Sequence, residues 1–282
     1  AGDINNDNLT SIGVFASLTH GNFDATVSTP NFMYNQLVEK KNGTWQYTPL
    51  KYWPNNDSDK ISFFAYAPHN ATGVTPSNAI QKGYPSFTYT TPTAEADQVD
   101  LLAATPIINQ NGGSVDFKMQ HALTKVVFNV KSNDDITGKV ITAFSITGAK
   151  SGTLAFHVPA NDDDKGFGWT YPSTVTAETF TATTKSLSVP DKSTPEEAIL
   201  CTYFLLPTNI GNTFNITYTY IGIKGTQTVT LTNQPLPSLD KWLSGAFVSY
   251  TIGIDKKVVT ATTESHPTWG NGSQGSVDGT IN

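Results

Sequence analysis

Five histidines, one cysteine and the carboxylates are the side chains from which this 282-residue sequence would have to build catalysis or a metal site. The histidines are His20, His69, His121, His157 and His266. No two stand four apart, and none belongs to a His-Glu-x-x-His run, so the helical zinc-protease constellation is absent. Cys201 lies in the apolar run Ala198-Ile199-Leu200-Cys201-Thr202-Tyr203-Phe204-Leu205-Leu206. A single thiol cannot form a Cys-x-x-Cys metal site. With no base beside it to generate thiolate, it reads as a small buried hydrophobe. Neither a Gly-x-Ser-x-Gly elbow nor a phosphate loop occurs. Gly270-Asn271-Gly272-Ser273-Gln274-Gly275 fits Gly-x-Gly-x-x-Gly, but it follows no buried parallel strand and opens no helix, so it reads as tail.

Glycoside hydrolysis needs two carboxyls facing one sugar. Glu95 with Asp97, and Glu196 with Glu197, are neighbours on polar stretches and read as solvated surface. Calcium wants several hard oxygens. Asp162-Asp163-Asp164 and Asp3-Ile4-Asn5-Asn6-Asp7 both lack the glycine and closing glutamate of a calcium loop and read as solvated turns. No metal and no cofactor is expected. Aromatic rings offer different chemistry, since an exposed ring can stack on a sugar. Trp45, Tyr52 and Trp53, with Tyr47 between them, are the glycan-stacking candidates. The alternative is that these rings cap the end of a sandwich.

Charge narrows the classes further. All 17 cations are lysine, against 23 acids, for a net charge of −6. Without arginine the chain lacks the bidentate clamp for phosphate and base edges, and an acidic chain of this kind is a poor nucleic-acid partner. Only 14% of residues are charged, and the surface is filled instead by hydroxyl and amide, threonine alone numbering 41. A hydrophobic fraction of 38% suffices for a folded core. No apolar stretch is long enough for a membrane-spanning helix.

The elements that must position these residues are strands. Residues 11–19 place Ile12, Val14, Ala16 and Leu18 on one face. Residues 214–220, 226–232 and 247–254 alternate in the same way, the pattern of half-buried strands in an antiparallel sheet with one wet face. Residues 61–67 and 124–131 are more apolar and read as central strands. Further strands are expected at 140–147, 153–158, 174–184 and 258–263. Helical periodicity is confined to two weak stretches, 93–102 and 238–243. So many strands and so little helix predict an all-β chain, and the length favours two sandwiches. Asn111-Gly112-Gly113 is the most permissive link. The expected division is therefore 1–113 for an N-terminal sandwich and 114–282 for a C-terminal one.

Several stretches occur in a characteristic order: Lys51-Tyr52-Trp53-Pro54, Ile61-Ser62-Phe63-Phe64-Ala65-Tyr66-Ala67-Pro68, Val99-Asp100-Leu101-Leu102-Ala103-Ala104 and His121-Ala122-Leu123-Thr124-Lys125-Val126-Val127-Phe128-Asn129-Val130. Leu205-Leu206-Pro207, Trp242-Leu243-Ser244-Gly245-Ala246-Phe247-Val248-Ser249-Tyr250-Thr251-Ile252 and Trp269 follow. The series, over roughly residues 45–270, resembles the fimbrillin-like proteins of Gram-negative gut and oral anaerobes, the subunits and tip proteins of type V pili.

The resemblance implies two tandem transthyretin-like antiparallel β-sandwiches and no catalysis. It implies export as a lipoprotein, with the acylated cysteine ahead of Ala1, and a place at the outer membrane or in a fimbria. The implied partners are other pilus subunits, joined by β-strand addition, and a host glycan or protein ligand. Ile12, Val14, Ala16 and Leu18 match the family's early strand and are the strand-exchange candidates. Residues 264–282, with Val277 and Ile281 as pocket fillers, match its C-terminal exchange segment. Relatives trimmed by an arginine-specific protease need an arginine, and this chain has none. Either the cut lies upstream, another protease acts, or the chain is a non-polymerising tip or surface subunit. A carbohydrate-binding protein of a glycan-uptake system is the alternative function. A hydrolase is the third, requiring two carboxylates or a His/Asp pair to converge in a cleft.

Overall fold

A computed structural model describes residues 2–183, 186–255, 259–266 and 278–281. The first strands are β1 (Ser11–His20), β2 (Met33–Lys41), β3 (Thr44–Gln46), β4 (Asp59–Ala67), β5 (Val74–Pro76), β6 (Ser86–Thr90) and β7 (Leu102–Ala104). Next come β8 (Ile107–Gln110), β9 (Val115–His121), β10 (Thr124–Ser132), β11 (Val140–Ala149), β12 (Ser151–Phe156), β13 (Phe167–Thr170) and β14 (Ala177–Thr181). The last are β15 (Leu187–Ser188), β16 (Ala198–Leu205), β17 (Thr213–Gly222), β18 (Gly225–Pro235), β19 (Phe247–Ile254), β20 (Val259–His266) and β21 (Asp278–Ile281). In place of the two weak helical stretches there are single 3-10 turns, Glu95–Asp97 and Leu239–Lys241.

The chain is all-β. Its largest sheet runs β21-β9-β7-β4-β1-β2-β3, with β8 also pairing β4. The two ends of this sheet meet, β21 touching β3, so the sheet curls around its own core. Ile12, Val14, Ala16, Ile61, Phe63, Val115, Phe117 and Met119 fill that interior.

On the outer face Phe15, Phe64 and Tyr66 pack against Phe87, Leu154 and Phe156 of a second sheet, ordered β13-β12-β6-β5. β1 and β4 are therefore buried on both faces: β4 as its apolar run predicts, β1 against the half-wet reading of its alternation. Gly13 makes this layering feasible, because a Cβ there would lie 2.3 Å from the Tyr66 ring. The second sheet draws strands from both sides of residue 113, β12 pairing directly with β6.

The later strands form a sandwich of two sheets, β16-β10-β19-β20 and β14-β11-β17-β18, with β15 on β11. Its core stacks Phe128 on Tyr250 at 5.3 Å and tilts Phe144 against Phe128 at 4.8 Å. Each buried ring of this kind contributes about 1.5–3 kcal/mol by leaving water. One pair departs from the antiparallel expectation. β10 and β19 run parallel, because the chain passes through β11 to β18 before returning, the long crossover that parallel neighbours require. Phe204, Leu206, Phe247, Ala122 and Leu123 join the outer-face cluster of the curled sheet, so the sandwich and the curled sheet share one core layer.

Candidate functional site

Among the described residues the histidines stand apart from one another, three of them paired with an aspartate, and none lines the apolar groove of the curled sheet. The His20 ring meets Asp59 at 2.9 Å, His69 the carbonyl of Asn35 at 3.1 Å, His121 Asp100 at 2.9 Å and His157 Asp164 at 2.8 Å. The His266 side chain, Gly270 to Gly275, Trp269 and Val277 lie outside the described residues. Among the described residues no three His, Cys, Asp or Glu side chains gather as metal ligands. Cys201 is buried in β16, and burial pushes its thiol well above the ordinary value. Asp164 closes its own turn, accepting from the Ala160 and Gly166 N–H groups at 3.0 and 2.9 Å; these bonds and the His157 ring hold its carboxyl down at about 2.

Asp3 and Glu95, both read as solvated, make structural contacts, as does Asp100. Asp100 is buried, which raises its carboxyl, while the hydrogen bond and charge of His121 oppose the rise. It accepts the Ile4 N–H at 2.7 Å, and Asp3 pairs with Lys125 at 2.5 Å, so residues 3 and 4 are docked rather than free in a turn. Glu95 accepts the N–H groups of Thr183 and Thr202, both at 2.8 Å. Three residues on, Gln98 accepts the Phe204 N–H at 2.9 Å and donates to the Pro92 carbonyl at 3.0 Å. Thr202 and Phe204 lie on β16, an edge strand whose other side pairs with β10. The turn at Glu95–Asp97 thus clasps an edge whose unpaired donors would otherwise invite another strand.

The curled sheet has an apolar groove near the place where its two ends meet. A cavity of about 280 Å³ is lined by Phe32, Met33, Tyr47, Leu50, Lys51, Tyr52, Trp53, Ile61, Phe63 and Val115. The loop after β3 forms one wall. There the Trp53 indole stands edge-on to Phe63 at 5.8 Å and donates to the Gly113 carbonyl at 3.1 Å. Trp45 is half-buried against the same core, and Lys51 lies over the Phe32 ring. Of Trp45, Tyr52 and Trp53, only Tyr52 is mostly exposed, at 79%. Tyr52 and Trp53 both line the groove.

The strand candidates separate. Ile12, Val14 and Ala16 are fully buried and Leu18 half-buried on β1, which is hydrogen-bonded to β2 on one side and β4 on the other. Among the described residues β21 is hydrogen-bonded on one side, pairing antiparallel with β9 so that Ile281 stands opposite Val115 and Asp278 opposite Lys118. Val115, a wall of the groove, is thus also the register partner of the tail. β9 and β2 were not anticipated as strands, although Val115-Asp116-Phe117-Lys118-Met119 alternates cleanly right after Gly112-Gly113.

The fimbrillin-like family profile matches residues 2–268. A fimbrium subunit, Fim1C of Phocaeicola vulgatus, is 35% identical over 156 residues, 49% of this chain. The matched stretch spans 41% of that relative's own length. The crystal structure of a fimbrial protein from Bacteroides vulgatus superposes with a TM-score of 0.71 at 24% identity, over 90% of this chain and 92% of that one. That likeness establishes a shared fold. With its profile match covering nearly every residue, the chain belongs to the fimbrillin-like family.

Proposed function

We propose that this protein is a non-catalytic subunit of a surface fimbria that joins its neighbours by strand addition at the seam between β9 and β3. The observation that carries this reading is the tail strand β21 on the β9 edge, with Val115 shared between that ladder and the apolar groove. A strand added there gains main-chain hydrogen bonds along β9, and alternate side chains enter the cavity. β21 reaches only four residues along β9, so a neighbour's tail competes with the chain's own on even terms. β1, bonded on both sides, exchanges only if two ladders break, so its four candidate residues serve the core of the curled sheet and β21 serves exchange. Anchoring through a lipid ahead of Ala1, and a place at the outer membrane, belong to the same reading.

The test is a disulfide. Residues directly opposite in an antiparallel pair have Cα atoms about 4.5–5.5 Å apart, within disulfide reach. A Val115→Cys, Ile281→Cys variant in a Cys201→Ala background is oxidised over a range of concentrations. Strand exchange gives a ladder of covalent oligomers that grows with concentration. An intrachain product alone at every concentration, with no polymers by electron microscopy, refutes it.

Sugar recognition is a second reading, carried by the exposure of Tyr52 beside the groove. A glycan array that shows binding lost on Tyr52→Ala supports it; an array with no binding removes it.

A further inference from the structure

The edges of the described sheets are not equally guarded. β3, β5, β13 and β21 are three or four residues long. β16 is clasped by Glu95 and Gln98. β14 is met by Ala94 through a bridge to Thr181. β20 carries Glu264. β18 is eleven residues long and, among the described residues, pairs only with β17. No charged residue occurs from 225 to 239, and no proline interrupts 226–234. Lysine, proline and short length are the usual guards of an edge, and β18 has none of them along its flat part. That part ends at Asn233, which has a positive φ of 52° and donates its N–H to Asn215 at 2.8 Å.

We propose that β18 is an interface with β18 of a second copy of this chain, joined antiparallel about a two-fold axis at Val229. The sequence is self-complementary in that register. Thr226 meets Thr232, Gln227 meets Leu231, Thr228 meets Thr230 and Val229 meets itself. Threonine faces threonine on the wet side, where Thr226, Thr228, Thr230 and Thr232 are exposed. Val229 and Leu231 continue the row that packs against the sandwich core. Cross-strand threonine and β-branched pairs are favourable, and with no charge on either edge nothing repels.

A second feature fits the same axis. The β17–β18 turn carries the most exposed large apolar side chain among the described residues, Ile223 at 107%, with Ile221 just before it at 72%. Four residues of strand place Gly225, where the turn begins, about 14 Å from the axis. Ile223, just beyond it in the turn, then projects past Asn233 towards the Pro235 end of the other copy's β18. There Pro235, Leu236 and Pro237 line a cavity of about 350 Å³ with Phe214, Val259 and Ala261. The turn of each copy thus covers the apolar recess of the other. A two-fold contact of this kind closes at two copies, unlike the open-ended chain of strand exchange.

Sedimentation across a wide concentration range should show a monomer–dimer equilibrium for the full chain. Thr228→Lys with Thr230→Lys sets like charges opposite each other twice on the wet face, and should weaken the dimer roughly tenfold with thermal stability kept. The matching Thr228→Glu, Thr230→Glu variant should also be weakened, and mixing the two should restore pairing. Val229→Cys in a Cys201→Ala background should give one covalent dimer band and nothing larger, while Thr262→Cys on β20 should not. A strict monomer that forms no Val229→Cys dimer overturns the proposal, as does a dimer indifferent to the charge swap.

Discussion

Replacing Gln98 is the sharpest test of how the β16 edge is kept closed. Its amide makes two contacts that nothing else supplies, accepting the Phe204 N–H at 2.9 Å and donating to the Pro92 carbonyl at 3.0 Å. Gln98 is 1% exposed and Phe204 is fully buried, so water cannot replace the lost acceptor. An orphaned buried donor costs about 1–3 kcal/mol. Gln98→Ala adds a cavity, for a total of about 3 kcal/mol. Gln98→Met keeps most of the volume and loses only the hydrogen bonds, for about 2 kcal/mol. At about 2 °C per kcal/mol for a chain of this size, the alanine variant should melt about 6 °C lower. Denaturant titration gives the energies, and amide exchange at Phe204 gives the mechanism. The Phe204 N–H points away from β10, so its protection should fall selectively while the β10–β16 ladder stays protected. An alanine variant within about 0.5 kcal/mol of wild type, or one whose residue-204 amide stays protected, would refute the clasp.

Other outcomes follow from the same geometry. Gly13→Ala should cost about 2 kcal/mol by overpacking, since its Cβ would collide with the Tyr66 ring, and denaturant titration measures it. Glu95→Ala should cost about 2 kcal/mol through two lost charge-assisted bonds to Thr183 and Thr202, with Glu95→Gln intermediate on the same titration. Asp164 is held at about 2 in the fold, below the usual carboxylate value near 3.9 when unfolded. Its contribution is therefore complete above the unfolded value and lost as pH falls towards the folded one. Asp164→Asn should flatten the acid limb of a melting-temperature profile between those limits and leave its shape at neutral pH unchanged.

The all-β class was legible because alternation in 214–220, 226–232 and 247–254 reports one wet face directly, and each stretch is a strand. The same reasoning misjudged β1. Alternation picks out Ile12, Val14 and Ala16, but Phe15 and Gly13 on the other face are buried too, and only the second sheet explains why. The sheet joining β6 to β12 was out of reach of local pattern, since its pairing spans about sixty residues of sequence and both strands are short. Glu95 was read as solvated because its partners lie 88 and 107 residues away. A carboxylate that accepts main-chain N–H groups leaves no mark on its own neighbours in sequence. Of the aromatic cluster, the proximity of Tyr52 and Trp53 was visible; that Trp53 turns its indole towards Phe63 and Gly113 depends on tertiary contacts alone.

The sparse charge bears on assembly as well as solubility. With 14% charged residues, the chain has few lysines to place on strand edges, the commonest defence against unwanted pairing. It closes β16 with Glu95 and Gln98, keeps most remaining edges to four residues or fewer, and lays its own tail along β9. Each guard differs in how it can be undone. The β16 clasp is buried and local, so it opens only at a cost near that of a destabilising mutation. The β9 edge is covered by four residues of backbone pairing, and it is there that we propose exchange. β18 has no cover among the described residues. If edges encode assembly, perturbations at the three should separate. Loss of Gln98 lowers stability first, the Val115→Cys, Ile281→Cys pair reports chain growth, and lysines at 228 and 230 change only how two copies associate.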